Sequence, residues 1–371
     1  MSTPVELPRW ADIALLPVLN VTAAFLVSGL VVLIIGENPL EAVGILINGA
    51  FGFAEGIGFT LYYATSFIFT GLSVAVAFHA GLFNIGGEGQ ATIAGVGVAL
   101  ACLAMPGVPF IIVFPIVIIA SMIFGAAWAF IPGYLQATRG SHVVITTIMF
   151  NFIASAIMVW LLVDVLKPPG TMDPSSARFP DSTVLPMVHD LWLWTGFGPS
   201  FPRLNIAFLL ALAACVAVWA LIWKTRLGYE IRTVGFNPTA AVYGGISPSR
   251  ITIIAMLISG GLAGLMAINV LMGDQQRLVL DFTAGAGFVG IAVALMGRSH
   301  PFGIVLASIL FGALYQGGAE LAFEKPTINR DMIVVIQGLV ILFAGALEQM
   351  FKPQLAALLA RLAPARSAEA A

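Results

Sequence analysis

Along almost the whole chain, long apolar runs alternate with short breaks rich in glycine, proline and polar residues. Within the runs there is no period-two alternation, and "FPIVIIASMIFGAAWAFI" (114–131) is apolar on nearly every side. A membrane-spanning β-strand needs alternating faces, so this pattern excludes a β-barrel. A spanning helix needs about 20 mostly apolar residues. Ten runs approach or exceed that length: 12–35, 57–79, 86–104, 109–131, 143–166, 205–224, 251–272, 279–297, 301–321 and 331–351. They predict an all-α integral membrane protein with about ten transmembrane helices. The eighth run, containing "DFTAGAGFVGIAVALMG", is short and glycine-rich, as a re-entrant segment would be. The third and eighth are also candidates for broken helices, which a bilayer tolerates only where protein or water satisfies the freed backbone groups.

Composition supports this reading. The 371 residues are 60% hydrophobic and 9% charged, whereas soluble domains average about 25% charged residues. Cys102 and Cys215 both lie inside apolar runs and read as small core residues, with neither disulfide nor metal spacing. The N-terminus lacks the basic stretch, short apolar stretch and cleavage site of a signal peptide, so the first run is expected to remain as a span. The net charge of −2 is uninformative, but its distribution is not. With both termini inside, ten basic residues fall on inner segments and six on outer ones. The inner loop "KTRLGYEIRTVGFNPTAAVYGGISPSR" alone carries four, and Glu37, Glu41, Glu55, Asp173, Asp181 and Asp190 fall outside.

An internal echo divides the chain. "VPF…FGAAW" (108–110, 124–128) resembles "HPF…FGALY" (300–302, 311–315), and each follows a glycine-rich segment, GGEG at 86–89 and GAGF at 285–288. The offset is five spans, an odd number, so the two halves (about 12–166 and 205–351) would be inverted repeats within one transmembrane domain. In transporters built this way the pathway runs at the repeat interface. Between and after the halves lie an extracytoplasmic loop (167–204), a cytoplasmic loop (225–250) and a cytoplasmic tail (352–371).

Several chemistries are excluded by their missing residues. Lys167, Lys224, Lys325 and Lys352 all fall outside any phosphate-cradling G-x-x-x-x-G-K-[ST] loop. The four histidines show no metal-site spacing, and no G-x-S-x-G nucleophile turn occurs. The chain is therefore not expected to be an enzyme, to bind a metal or cofactor, or to contact nucleic acid. Polar side chains inside spans are costly and normally face a cavity or a neighbouring helix. Thr146, Thr147, Asn151, Asn269, Gln316 and Gln337 are such residues, and Asn84, Glu88 and Gln90 stand in a glycine cluster at the entry to the third run. Glu88 opens its helix, where a carboxylate meets the favourable end of the helix dipole; Arg139 and Arg298 share its side as available partners. Small residues at Gly87, Ala91, Gly95 and Ala99, and the Gly260/Gly264 pair, let helices approach closely. In the cytoplasmic loop, Asn237 reads as an N-cap and Pro238 as the first helical residue, with a short helix 238–243 stopping at Gly244–Gly245.

"FNIGGEGQ" (83–90), "TTIMFNFIA" (146–154), "TRLGYEIRTVGFNPTAAVYGGI" (225–246) and "GFVGIAVALMGRSHPFG" (287–303) resemble the permease subunits of bacterial ABC importers. The group includes ribose, branched-chain amino-acid and nucleoside permeases, and the "NIGGEGQ" form is most like the larger nucleoside, or simple-sugar-type, permease. The resemblance implies a heterodimer with a second permease, a cytoplasmic ATPase that holds the ATP and magnesium, and an extracytoplasmic solute-binding protein. It implies residence in the bacterial inner membrane and alternating access driven by the ATPase. It makes Gly235, Asn237, Pro238, Ala240, Ala241 and Gly244, with Arg232 beside them, the cytoplasmic coupling helix that docks into the ATPase. Thr233 stands where the pattern has alanine, and the glutamate of the related EAA loop is missing. Asn84, Glu88 and Gln90 match the polar stretch near the pathway. A nucleoside is the leading substrate, with ribose or another simple sugar and then a branched-chain amino acid as alternatives. A stand-alone secondary transporter or channel, and a membrane scaffold without a pathway, are the competing classes.

Overall fold

A computed structural model describes residues 8, 11, 15–190, 201–342, 355 and 356 of the chain. Its described residues are helical apart from turns, extended segments and two isolated bridges, with no strand among them. The helices are α1 (Leu16–Ile35), α2 (Pro39–Phe51), α3 (Ala54–His79), α4 (Gly87–Ala104), α5 (Phe110–Arg139), α6 (Val143–Trp160), α7 (Ala207–Lys224), α8 (Arg226–Phe236), α9 (Pro238–Tyr243), α10 (Pro248–Val270), α11 (Ala286–Met296), α12 (Pro301–Glu324) and α13 (Arg330–Ile341). A single π-turn extends each of α6 and α10. Among the described residues seven helices (α3, α4, α5, α6, α7, α10 and α12) are long and apolar enough to cross a membrane, and α1 with α2 makes an eighth if that bent pair is one span.

Three departures from the expected spans have local causes. The sequence reading omits α2, which follows α1 after a 116° bend. Gly36 turns the chain in a left-handed conformation, Asn38 accepts from the Leu40 amide, and Pro39 opens the new helix. The expected span 279–297 shrinks to α11, because Asp281, Ala284 and Gly285 all have positive φ and interrupt any helix through them. Helix α8 is short and amphipathic, burying Gly228, Ile231 and Val234, so a search for 20-residue apolar runs passes over it. The last expected span, 331–351, is described only to Leu342, and nearly all of the tail lies outside the described residues.

The chain forms two compact units, Ile47–Gly317 and Met1–Leu46 with Gly318–Ala371. In the larger, α3 and α10 are central and buried along most of their length. They run antiparallel, since Ser73 meets Ser259 and Ser66 meets Asn269. Helix α4 runs alongside α10 in the same direction, Asn84 bonding Ser259 and Ala94 packing on Gly264. Helix α11 likewise follows α3, with Gly290 on Thr70, Val293 on Gly71 and His79 on the Ser299 carbonyl. Helices α4 and α11 are therefore antiparallel, and they meet N-terminus to N-terminus at Gly87 and Gly287.

The expected glycine contacts hold this core together. Gly260 and Gly264 press against Gly125 and Ser121 of α5, and the Ser121 hydroxyl donates to the Gly264 carbonyl at 2.6 Å. Along the small-residue stripe of α4, Gly95 faces the Phe282 ring and Gly87 faces Gly287. Asn269 is buried and donates to the Tyr62 carbonyl and Ser66 hydroxyl while accepting from Asn205, so it bonds between elements. Residues 175–185, between α6 and α7, run along residues 272–279. Leu185 bonds the Met272 carbonyl, Phe179 the Gln276 carbonyl and Ser176 the Leu278 carbonyl, and Ser175 bridges Val279.

In the smaller unit, Val32, Ala42, Leu321, Ile328, Ile333 and Ile336 form an apolar cluster. Beside it the Lys325 ammonium contacts Glu41 at 2.9 Å and Glu37 at 3.3 Å, and the Thr327 hydroxyl donates to Glu37. Thr327 and then Lys325 hold the Glu37 carboxyl below its ordinary 4.5, while Glu41 and then Glu37 hold the Lys325 ammonium above its ordinary 10.5.

Two expectations follow. A Cβ at Gly260 would lie against the Gly125 backbone and Ala129, whereas one at Gly261 would find ordinary contact with Met122. Gly260→Ala should therefore destabilise detergent-solubilised protein by about 1–3 kcal/mol, and Gly261→Ala far less; equal thermal shifts would contradict the packing. The cluster around Lys325 should contribute fully between the ordinary carboxylate and ammonium pKa values. Its stabilisation is lost as pH falls through the depressed Glu37 value or rises through the elevated Lys325 value. Thermal midpoints against pH should therefore flatten at both ends in Lys325→Met.

Candidate functional site

The meeting of α4 and α11 depends on glycine at residue 287, where nothing larger fits. A methyl at residue 287 would lie 2.6 Å from the Glu88 Cα. Two helix N-termini brought together set free amide groups and two positive dipole ends, each roughly half an elementary charge, against one another. Glu88, in the first turn of α4, lies between them. One carboxylate oxygen accepts from the Thr283 hydroxyl at 2.6 Å and the Gly285 amide at 2.9 Å, and the other from the Gly287 amide at 2.7 Å. Three neutral donors thus engage the carboxylate, in place of the Arg139 or Arg298 partner considered from the sequence.

Behind Glu88 lies a polar network with almost no access to solvent. Asn84 is 0% exposed and Gln90 1%. Their side-chain amides bond each other in both directions at 3.0 and 3.1 Å. Asn84 also donates to Ser259 and accepts from the Gly86 amide. Ser259 in turn donates to the Ser73 carbonyl. On the α6 side, Asn151 accepts from the Gly89 amide and donates to the Ile85 carbonyl, and Thr147 accepts from the Ile85 amide. The irregular segment 84–86 thereby has its backbone groups answered by side chains, as a helix break inside a membrane requires. Thr146 bonds only carbonyls of its own helix, those of His142 and Val143.

A cavity of about 440 Å³ opens beside this junction, a size typical of small-molecule sites, which run roughly 300–1,000 Å³. Of the six pathway residues expected from the sequence, Glu88 and Asn151 line it. Asn84, Gln90 and Thr147 sit behind the wall in the network, and Thr146 is also not on the wall. The wall further includes Thr92, Ser155, Asp281, Thr283 and the apolar Phe152, Met158, Phe282 and Phe288, none of which the sequence reading singled out. An available signal was Asp281, an acid within a run read as intramembrane.

The second expected group lies on α8 and α9. Asn237 caps α9, its side chain accepting from the Ala240 amide at 3.0 Å, and Pro238 is the first helical residue. The helix ends at Tyr243 with Gly244 as cap, matching the sequence reading residue for residue. Gly235 packs against the His79 carbonyl and Gly81, seating the end of α8 on the end of α3. The Arg232 guanidinium reaches back to the Gly228 carbonyl. Ala241 is buried, Ala240 and Gly244 are exposed, and Phe236 and Tyr243 are each 90% exposed, leaving an apolar surface uncovered.

The family described as branched-chain amino acid transport system / permease component matches residues 56–345. Over 332 residues the chain is 35% identical to the nucleoside ABC transporter permease protein NupB of Lactococcus lactis, covering 89% of this chain and 90% of that one. It is 34% identical to the glucose ABC transporter permease protein TsgB13 of Haloferax volcanii, with 88% and 86% covered. The guanosine ABC transporter permease protein NupP of Bacillus subtilis is 33% identical, with 90% and 93% covered. No solved structure matches.

Removing the Glu88 carboxylate strands three donors at the junction. Glu88→Ala should cost about 3 kcal/mol, and Glu88→Gln, which keeps one acceptor oxygen, about half as much. Thermal unfolding of the purified chain checks this order, and an alanine variant as stable as the parent would contradict the bridging role.

Proposed function

This chain belongs to the branched-chain amino acid transport system / permease component family, and we propose that it carries a nucleoside-like solute across the bacterial inner membrane as the transmembrane subunit of an ABC importer. The observation that carries this reading is the near full-length similarity to permeases named for nucleoside and guanosine transport. The chain itself performs no catalysis and binds no cofactor; ATP and magnesium belong to a partner ATPase. A second permease subunit and an extracytoplasmic solute-binding protein complete the assembly. A simple sugar is the second reading, favoured by the similarity to a glucose permease.

Both termini are cytoplasmic in this reading, and α9 is the coupling helix. The exposed Phe236 and Tyr243 support that role, because an apolar surface of this kind marks a protein contact. Arg232, Gly235, Asn237, Pro238, Ala240, Ala241 and Gly244 shape it. Ten spans in two inverted halves remain the proposed architecture, with α3, α4 and α5 corresponding to α10, α11 and α12. Contacts in the larger unit support the correspondence. Helix α10 packs on α4 and α5 through Gly264 with Ala94 and Gly260 with Gly125. Helix α3 packs on α11 and α12 through Thr70 with Gly290 and Thr60 with Gly312. Each half thus lends its first helix to the other, and corresponding helices run in opposite directions. The pathway follows the cavity beside Glu88 and Asn151, with Asn84, Gln90, Thr146 and Thr147 supporting that wall.

The test is initial-rate uptake of labelled nucleosides in the native host. Deleting the chain should abolish the energy-dependent component. Ala240→Arg, on the exposed side of α9, should lower it more than tenfold at unchanged membrane levels, as expected for a charge buried in an interface. Nucleoside transport by the purified chain alone in liposomes would instead identify a stand-alone transporter.

A further inference from the structure

The polar side chains on the cavity wall are nearly all occupied. Thr92 donates to the Glu88 carbonyl, Ser155 to the Asn151 carbonyl and Thr283 to the Glu88 carboxylate. Asn151 and Glu88 are engaged with backbone groups. Asp281 is different: it lines the cavity, it is exposed, and its carboxylate has no hydrogen-bond or ion-pair partner among the described residues. Its backbone is left-handed (φ 54°), as are those of Ala284 and Gly285 just beyond. Such a turn directs the carboxylate by backbone geometry, and Asp is among the few residues that accept it readily. On the same wall Phe152 and Phe288 are exposed hydrophobic rings.

We propose that Asp281 is a specificity-determining residue that recognises the vicinal hydroxyls of a ribose while the nucleobase lies against the phenylalanine wall, an inference that rests on the nucleoside reading above. A carboxylate offers two oxygens side by side and no donor, which suits two adjacent O–H groups. The apolar rings suit the flat base, and the exposed carboxylate keeps the sugar at the wetter part of the wall. A bound cation fits less well, because the neighbouring Glu88 oxygens already accept three hydrogen bonds. The diol is common to all ribonucleosides, so this contact selects the sugar and leaves the base free to vary.

The experiment compares initial uptake of uridine and 2′-deoxyuridine in the native host carrying chromosomal Asp281→Asn or Asp281→Glu, with membrane levels measured by immunoblot. Asparagine tolerates the same left-handed backbone, so Asp281→Asn tests the carboxylate without rebuilding the turn. Uridine uptake should fall about tenfold toward the deoxyuridine rate, deoxyuridine uptake should change less than twofold, and Asp281→Glu should retain the preference for uridine. Unchanged uridine uptake in Asp281→Asn, an equal fall for both nucleosides, or equal losses in the Glu and Asn variants would each overturn the proposal. The deletion strain separates the two levels. Chain-dependent uptake with no change in discrimination removes only the role of Asp281, whereas uptake of both nucleosides without the chain removes the nucleoside reading and this inference with it.

Discussion

One carboxylate holds together the most demanding point of the structure. Where α4 and α11 meet head to head, exposed amides and two positive helix ends would repel one another in a setting with little water to screen them. Glu88 supplies a negative charge between them and accepts three hydrogen bonds across the gap. The glycines at 87 and 287 let it reach, since any side chain at 287 would push the two backbones apart. This contact also sets the cavity, because two of the donors it fixes belong to Thr283 and Gly285 on the wall.

The neutral amides behind Glu88 extend the same logic. Asn84, Asn151 and Thr147 serve mainly to answer backbone groups at and just after the irregular segment 84–86, and Gln90 holds the Asn84 amide in place. Uncharged groups do this without the desolvation cost of buried ions, and a fully satisfied network is rigid. A rigid wall with few unengaged polar groups makes only weak contacts with a passing solute. That suits a pathway, where tight binding would retard release. The chemistry near the motif "NIGGEGQ" is thus largely chemistry of support, and the side chain most available to a solute lies across the cavity on the 281–285 turn.

How far the sequence could be read depended on whether each signal was local. Helix α9 was legible to the residue, because an Asn cap, a proline at the first position and a glycine stop act within one short segment. The glycine contacts of α4 and α10 were legible as close approach, though not their partners in Gly287, Phe282 and Gly125. Helix α2 escaped detection, and the eighth run was legible as short and glycine-rich though not its start at Ala286. Both depend on left-handed residues, Gly36 in one case and Asp281, Ala284 and Gly285 in the other, which hydropathy cannot register. The bonding of Glu88 was beyond sequence reasoning altogether, since its partners lie almost two hundred residues away. Asp281 carried a readable signal as an acid in an apolar run, but that its carboxylate has no partner among the described residues is visible only in three dimensions.

The lacing of the α6–α7 connection to residues 272–279 has a consequence for how the sequence can change. Connections between helices ordinarily absorb insertions and deletions freely. Here residues 175–185 are registered against 272–279 through Ser175, Ser176, Phe179 and Leu185, and the partner segment continues directly into the cavity wall. A residue gained or lost on either side would shift every pairing beyond it and drag the wall by one residue's length, about 3.3 Å. Length variation is therefore affordable before Ser175, where exposed Thr171, Met172 and Asp173 make few commitments, and barred within the laced stretch. A surface loop has become as intolerant of indels as a core helix.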